Sequence, residues 1–283
     1  MRLMMFEAGS GPRLGLVQGD DVLDITAAGG PATLLAAIEG SAAARARIEA
    51  AAAKAPRSAL KSAKPALPIA SPRKIVCVGL NYLEHAKEGG HAPPTYPSFF
   101  LRVPSSLLAA GAPVVRPNSS EQLDYEAELT VIIGKGGRHI AETSALDHVF
   151  GYTLFNDVSV RDFQRKTSQW TAGKNFDATG PLGPVVVTAD ELPAGATGLR
   201  IQSRLNGRVM QDSNTSDMIF PVARTIAILS EIMTLEPGDL IATGTPSGVA
   251  HARKPPTWMK PGDTIEIEVE RIGVLANPVV AEA

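Results

Sequence analysis

The chain has 283 residues, and 44% of them are hydrophobic, a proportion typical of globular proteins that argues against global disorder. The formal net charge of -2 and the isoelectric point near 6.2 predict no basic surface for nucleic acid or for an anionic membrane. No apolar run approaches the roughly 20 residues that cross a bilayer, and the apolar stretch in "MRLMMFEAGSG" is too short for a secretory signal. Together with a single cysteine, Cys77, these features predict a soluble, cytoplasmic protein.

The first part of the chain predicts a small N-terminal α/β domain over residues 1–60. Turn residues separate three short strand patterns, "RLMMF", "LGLV" and "VLDI", and two helical patterns follow, "ATLLAAIEG" and "AAARARIEAAAAK". Residues 61–73 are rich in proline and lack periodicity, which predicts a linker. We therefore expect a second, larger domain over residues 74–283.

That larger region predicts a strand-rich domain. Its strand patterns are "KIVCVGL", "ELTVIIG", "VFGYTLF", "GPVVVT", "LRIQSRL", "RVMQD", "GDLIATG" and "DTIEIEVE". Asn206-Gly207 predicts a tight hairpin, because both residues tolerate positive φ. Helices are predicted at "NYLEHAKE" and "PVARTIAILSEIM". The alternation of strands and helices is too irregular for a Rossmann fold or a barrel, so we predict an α+β fold, mostly β.

The segment "LDYEAELTVIIGK" places acidic residues at alternating positions of a strand. Glu126 and Glu128 then share one face, where like charges repel unless a cation lies between them. Asp157 ends a later strand, a position from which a side chain can face a site. Three carboxylates without nearby Cys or His ligands favour Mg²⁺ or Mn²⁺, with Ca²⁺ as a substitute, over zinc. The alternative is that these acids are solvated on an open sheet face and bind nothing.

A second candidate group lies in "GLNYLEHAKEGG". On a helix, His85 and Glu88 are at positions i and i+3, so the carboxylate can orient the imidazole. Such a pair can activate a water as a general base near neutral pH. The alternative is an incidental ion pair on a surface helix.

A third candidate group follows Asp157 in the chain. Arg161, Gln164 and Lys174 supply hydrogen-bond donors; an arginine suits carboxylate binding, and a lysine near a metal can neutralise a developing oxyanion. The turn "ATGTPSGV" could hold an anionic oxygen through its backbone N–H groups, but it lacks the ending of a phosphate-binding P-loop. Each of these features is also compatible with an ordinary surface or a tight connection.

In this order, five segments resemble the successive signatures of the fumarylacetoacetate hydrolase superfamily, and specifically its shorter, bacterial-type members. They are "GLNYLEHAKE", "DYEAEL", "GYTLFNDVSVRDFQ", "GKNFDATGPLGP" and "GTPSGV". The resemblance runs from residue 73 to residue 270 and implies a mixed β-sandwich roll, usually found as a homodimer.

The resemblance also implies roles for particular residues. The metal ligands would be Glu126, Glu128 and Asp157; the catalytic residues would be the dyad His85 and Glu88, together with Lys174; and the substrate-binding residues would be Arg161, Gln164 and Thr245. Asp124 is not assigned to the metal, and we expect it to orient its neighbours or to cap a turn.

The implied activity is metal-dependent hydrolysis of a C–C bond in a 2,4-dioxo acid of the acylpyruvate type, giving pyruvate and a carboxylic acid. Decarboxylation of oxaloacetate, or isomerisation or hydration of an unsaturated 2-oxo acid, would use the same enolate and stays open. A catalytically silent homologue is a third possibility, and it predicts no metal-dependent turnover. We expect a small 2-oxo acid as the ligand, and no nucleic-acid or membrane partner.

Overall fold

The computed structural model describes residues 1–90 and 92–283. Its strands, β1 to β18, are Arg2–Ala8, Gly11–Gln18, Asp21–Asp24, Arg57–Ala59, Ile75–Gly79, Ser98–Arg102, Leu107–Ala109, Val114–Arg116, Leu123–Asp124, Ala127–Ile133, Val149–Asn156, Ser159–Val160, Gly180–Thr188, Arg200–Leu205, Arg208–Asn214, Leu240–Ala242, Thr264–Val269 and Gly273–Ala281. Its α-helices, α1 to α6, are Leu34–Glu39, Ser41–Ala52, Leu83–Glu88, Arg161–Gln164, Thr171–Lys174 and Val222–Ile232. Within the described residues, no helix has the length and apolar character needed to cross a bilayer.

The strands form two larger sheets and one small pair. An 11-stranded sheet has the order β4-β3-β2-β1-β13-β11-β10-β16-β5-β6, with β7 added beside β13. A five-stranded sheet has the order β15-β14-β17-β18-β8, and β12 pairs with β9. Most neighbours are antiparallel, whereas β16 with β5, β13 with β7 and β18 with β8 are parallel. This architecture confirms the predicted α+β, mostly β fold.

The strands of the first 60 residues extend the large sheet. Strand β1 pairs antiparallel with β13, with Arg2 opposite Val187. The segment 61–73 contacts β1, where the Ala66 N–H donates to the Met5 carbonyl over 2.9 Å. The division into residues 1–60, 61–73 and 74–283 stays a prediction about folding units, because the two outer ranges share one sheet.

Strand β10 lies at the centre of the core, and its two faces contact different hydrophobic clusters. One face carries Ala127, Leu129, Val131 and Ile133 toward the larger cluster, while Ile132 contributes to the other. All seven residues of the strand are buried. The sequence predicted the alternation correctly, but neither face is open to solvent.

The predicted hairpin is also present between β14 and β15. Asn206 has φ 51° and Gly207 has φ 78°, so both occupy the left-handed region that this two-residue turn requires. The turn brings Leu205 opposite Arg208 and fixes the register of the two strands.

Candidate active site

A cavity of about 460 Å³ lies between the large sheet, α3, α4, α5 and the loop after β16. Its lining residues are Val78, Gly79, Leu80, His85, Gly89, Phe100, Glu126, Glu128, Asp157, Arg161, Gln164, Arg165, Thr167, Trp170, Lys174, Thr245 and His251. Every residue proposed from the sequence lines this cavity except Glu88, which contacts His85. The fold therefore brings the three predicted groups together, while their roles remain predictions.

The three predicted metal ligands form one buried cluster. One carboxylate oxygen from each of Glu126, Glu128 and Asp157 lies within 4.8 Å of the others. Their exposed fractions are 5%, 2% and 0%, so they are not the solvated acids of the alternative interpretation. Pairing of β10 with β11 sets Ala127 opposite Asn156, and the Asp157 N–H donates to the Glu126 carbonyl over 3.0 Å. Strand register thus places Asp157 beside Glu126.

Lys174 lies between two of these acids. Its Nζ is 2.7 Å from Glu126 Oε2 and 2.6 Å from Asp157 Oδ2. Burial alone would lower the pKa of Lys174, but Asp157 and Glu126 raise it above its ordinary value. The ammonium group is therefore a fixed positive charge on the cavity floor.

The pKa values of the two glutamates of the cluster are shifted in opposite directions. Although burial opposes ionisation, Lys174 and Arg161 hold the pKa of Glu126 well below its usual range. Burial, Asp157 and Glu126 together raise the pKa of Glu128 well above its ordinary value. Glu128 accepts a hydrogen bond from the Gly244 N–H over 3.0 Å, and no ion pair in the described part of the chain involves it.

The charges around the cluster fit a divalent cation. The buried acids are Asp124, Glu126, Glu128 and Asp157, whereas the buried basic residues beside them are Arg102, Arg161 and Lys174. When all are ionised, one negative charge is unbalanced, and Glu128 is the acid without a cationic partner among the described residues. An all-oxygen set of carboxylates suits Mg²⁺ or Mn²⁺. The cluster could therefore hold such an ion.

Arg102 positions Asp157, and sequence analysis did not identify it. Its Nη1 donates to Asp157 Oδ1 over 2.6 Å, and its Nη2 donates to the Thr179 hydroxyl over 2.9 Å. The side chain is fully buried. Arg102 ends β6, an edge strand with no clear pattern in the sequence, and it is 55 positions away from its acidic partner.

Asp124 organises a second group of contacts. Its Oδ2 accepts from Arg161 Nε over 2.7 Å, and its Oδ1 accepts from the Ala250 N–H over 2.7 Å. Arg161 also places Nη2 2.6 Å from Glu126 Oε1 and donates from Nη1 to Gln164 over 3.0 Å. As expected, Asp124 orients its neighbours.

The predicted dyad has the geometry of a base with an orienting acid. His85 Nδ1 lies 2.8 Å from Glu88 Oε1, and His85 is only 8% exposed. Both Glu88 oxygens accept from the Gly248 N–H, at 3.1 and 2.9 Å. Because Nδ1 faces the carboxylate, Nε2 is the nitrogen left for a ligand or a water. A surface ion pair does not describe this arrangement.

Gly248 is required at this point of the loop. Its φ is +102°, and a Cβ there would lie 2.3 Å from the Met210 carbonyl oxygen. Any larger residue would shift the loop and with it the N–H that holds Glu88.

Gln211, on β15, positions Thr245. Its Nε2 donates to Thr245 Oγ1 over 2.7 Å and to the Pro246 carbonyl over 2.7 Å. Its Oε1 accepts from the Ala127 N–H over 3.0 Å. No sequence motif marked this glutamine, because its partners come from distant segments.

Trp170 and Phe100 form an apolar wall of the cavity. Their rings meet edge to face, with centroids 5.6 Å apart. A Cβ on Gly79 would lie 2.2 Å from the Trp170 ring, so glycine is needed for this close approach. This wall can pack against the carbon skeleton of a ligand.

A protein-family model and individual proteins of known sequence both match this chain. The family model described as fumarylacetoacetate (FAA) hydrolase C-terminal matches residues 74–280. A human protein named oxaloacetate tautomerase FAHD2A, mitochondrial, is 42% identical over 292 residues, which cover 99% of this chain and 92% of that protein.

Solved structures agree with the sequence match. A fumarylacetoacetate hydrolase from Exiguobacterium antarcticum has 37% identity and a TM-score of 0.89, with 100% of both chains covered. Maleylpyruvate hydrolase from Sphingobium sp. SYK-6, in complex with manganese(II) ion and pyruvate, has 35% identity and a TM-score of 0.84, again with 100% of both chains covered. The fold, the site and these matches show that the chain belongs to the fumarylacetoacetate hydrolase family.

Proposed function

We propose that this protein catalyses metal-assisted enol–keto chemistry on a small 2-oxo acid, and that its principal reaction is the tautomerisation of oxaloacetate. The observation that carries the proposal is that the His85 imidazole and the buried carboxylate cluster line one cavity. The 42% identity with human oxaloacetate tautomerase supports the choice of reaction.

The cluster would hold Mg²⁺ or Mn²⁺ through Glu126, Glu128 and Asp157. When bound, such an ion polarises a carbonyl group and stabilises the negative charge that develops on its oxygen. Lys174 adds a positive charge that is already in place before the reaction, since its neighbours keep it protonated. Gln164 and Thr245 would contribute hydrogen bonds that orient the substrate.

The proton transfer is assigned to His85. In the direction from enol to keto, the enol oxygen loses a proton and C3 gains one, so no other reactant is consumed. His85 Nε2 would carry the proton to or from C3, and Glu88 would orient the ring and stabilise its positive charge. The polar contact of Glu88 with Gly248 fixes that carboxylate.

Hydrolysis of an acylpyruvate is the second candidate. His85 would then take a proton from a water that attacks the 4-carbonyl. The C3–C4 bond would break with its electron pair going to C3, and His85 would return the proton to C3, so that pyruvate and a carboxylic acid leave. The 35% identity with maleylpyruvate hydrolase supports this alternative. Decarboxylation of oxaloacetate and isomerisation of an unsaturated 2-oxo acid are further outcomes of the same chemistry.

A panel of substrates separates these reactions. Conversion of enol-oxaloacetate is followed by absorbance, and pyruvate release is followed from acetylpyruvate and from oxaloacetate, each with Mg²⁺ or with EDTA. We expect Mg²⁺-dependent enol–keto conversion to exceed pyruvate release from either substrate. Release from acetylpyruvate alone would establish the hydrolase, release from oxaloacetate alone the decarboxylase, and no metal-dependent activity would favour a silent homologue.

Glu88→Gln tests the role of the dyad in the same assays. The amide keeps the shape of the side chain but removes its charge, so we expect kcat to fall about 10²-fold or more with little change in metal binding. Equal rates for Glu88→Gln and the wild type would contradict a base oriented by Glu88.

Assembly and location are proposed on the resemblance and on composition. We propose a homodimer, for which light scattering should give twice the 29.7 kDa mass of the chain. We also propose a cytoplasmic location without nucleic-acid or membrane partners, whereas the name of the human relative places that protein in mitochondria.

A further inference from the structure

The proposed reaction assigns no role to Arg165, Thr167 or His251, although all three line the cavity. Arg161, Gln164, Arg165 and Thr167 come from α4 and the residues that follow it, and His251 comes from the loop after β16. The carboxylate cluster and Lys174 line the same cavity, so a ligand bound at the cluster can also contact these residues.

Asp124 connects α4, which Arg165 directly follows, with the segment that carries His251. Arg165 follows Arg161 by one helical turn, and its N–H donates to the Arg161 carbonyl over 3.2 Å. Asp124 Oδ2 lies 2.7 Å from Arg161 Nε and 3.3 Å from His251 Nδ1. One carboxylate oxygen therefore connects α4 with the segment that carries His251.

These residues differ in whether they already have a hydrogen-bond or ion-pair partner within the protein. Arg161 is paired with Asp124 and Glu126, so its charge is used within the protein. No ion pair in the described part of the chain involves Arg165, which is exposed at the cavity mouth. Likewise, His251 Nε2 makes no hydrogen bond among the described residues, because Asp124 faces the other ring nitrogen. Both residues line the cavity.

We propose that Arg165, assisted by His251, binds the second carboxylate of a 2-oxo dicarboxylic acid whose 2-oxo end lies at the carboxylate cluster. This inference rests on the proposed function and assigns the residues that recognise the distal carboxylate of its substrate. A guanidinium without an acidic partner complements a distal carboxylate, and the Trp170 and Phe100 rings would pack against the carbon skeleton between the two ends.

The test uses Arg165→Gln, which removes the charge but keeps a polar side chain of similar reach. The matched control is Lys166→Gln, because Lys166 is the next residue, lies over the Phe163 ring and does not line the cavity. With the Mg²⁺-loaded protein, we expect Arg165→Gln to raise KM for oxaloacetate about tenfold and to change KM for acetylpyruvate less than about twofold. Lys166→Gln should match the wild type with both substrates.

Binding by calorimetry gives a second readout that does not depend on turnover. Pyruvate and oxaloacetate differ by one carboxylate. The Kd for pyruvate divided by the Kd for oxaloacetate, both measured with the Mg²⁺-loaded protein, therefore reports the distal contact. We expect Arg165→Gln and His251→Gln each to reduce this ratio, with the larger effect for Arg165→Gln.

The inference and the proposed function can fail separately. An unchanged ratio of Kd values in Arg165→Gln, or equal loss of affinity for pyruvate and oxaloacetate, would overturn the distal carboxylate site even if the enzyme is active. Absence of turnover with every substrate would overturn the proposed function, while the Kd ratio would still test the site.

Discussion

Two regions of the molecule carry glutamates at alternating positions, and their surroundings differ. Glu126 immediately precedes β10, Glu128 is its second residue, and their exposed fractions are 5% and 2%. Glu266 and Glu268 lie on β17, where their side chains are 31% and 40% exposed and pair with Arg204. The same spacing therefore occurs in a buried cluster and on a solvent-accessible sheet face.

The difference shows which information the spacing lacks. Alternation determines that two glutamates share a face, but what packs over that face determines whether they are buried. In β17 the face stays accessible, and a partly exposed pair with Arg204 contributes little. At β10 the face is covered by Lys174 from α5 and by Arg161 from α4. Burial with insufficient cationic charge is what makes the first pair a candidate metal site.

The largest expected effect is on activity. Glu128→Gln removes one ligand of the cluster, so kcat/KM for oxaloacetate at saturating Mg²⁺ should fall about 10²-fold or more. The control Glu268→Gln changes the accessible pair and should stay within about twofold of the wild type. Wild-type activity in Glu128→Gln would remove the functional distinction between the two regions.

The next effect concerns stability without metal. Lys174→Met leaves Glu126 and Asp157 without their shared cation, so it should lower the free energy of unfolding in EDTA by about 3 kcal/mol. Arg204→Met disrupts a partly exposed pair and should cost less than about 1 kcal/mol. Denaturant unfolding of both variants measures this, and similar losses in the two would show that burial does not separate them.

The smallest expected effect is the release of a proton when the metal binds. Since the pKa of Glu128 is raised in the metal-free protein, this carboxyl keeps its proton above the usual carboxyl range and must lose it to bind an ion. Binding should release up to about one proton per ion and become tighter as pH rises through that raised pKa. The same sign means that Glu128 stabilises the metal-free fold at low pH and that this contribution is lost as pH rises.

Calorimetry in two buffers of different ionisation enthalpy measures the released proton. Glu268→Gln should release as much as the wild type, because that carboxylate is not at the cluster. Binding that is independent of both buffer and pH would contradict a protonated Glu128 in the metal-free protein.

Much of the fold could be predicted because long strands carry their own pattern. The strands that sequence analysis missed are β4, β6, β7, β8, β12 and β18, and most are short segments whose pairing depends on distant partners. The segment 123–135, predicted as one strand, is instead divided into β9 and β10. The long β18 was missed because Asn277 and Pro278 interrupt its apolar run. Asn277 is buried there and donates to the Ala109 and Ala112 carbonyls at 2.9 and 2.8 Å, contacts that the local sequence does not reveal.

The candidate site likewise contains residues that the sequence identified and residues that it did not. The acids and the His85–Glu88 pair lie within compact motifs, so their spacing and the family resemblance identified them. Arg102 and Gln211 act through contacts with segments 55 and 34 positions away, and no local pattern distinguishes them from other polar residues. His251 was missed for a related reason, because only folding brings it to Asp124, 127 positions away.

A titration of the metal-free protein with Mn²⁺, followed by electron paramagnetic resonance, tests most directly whether the buried acids form a metal site. The structure predicts one tightly bound ion per chain in the wild type and in Glu268→Gln, and a large loss of affinity in Glu128→Gln. Absence of tight binding in the wild type, or unchanged binding in Glu128→Gln, would contradict the assignment of Glu126, Glu128 and Asp157 as metal ligands.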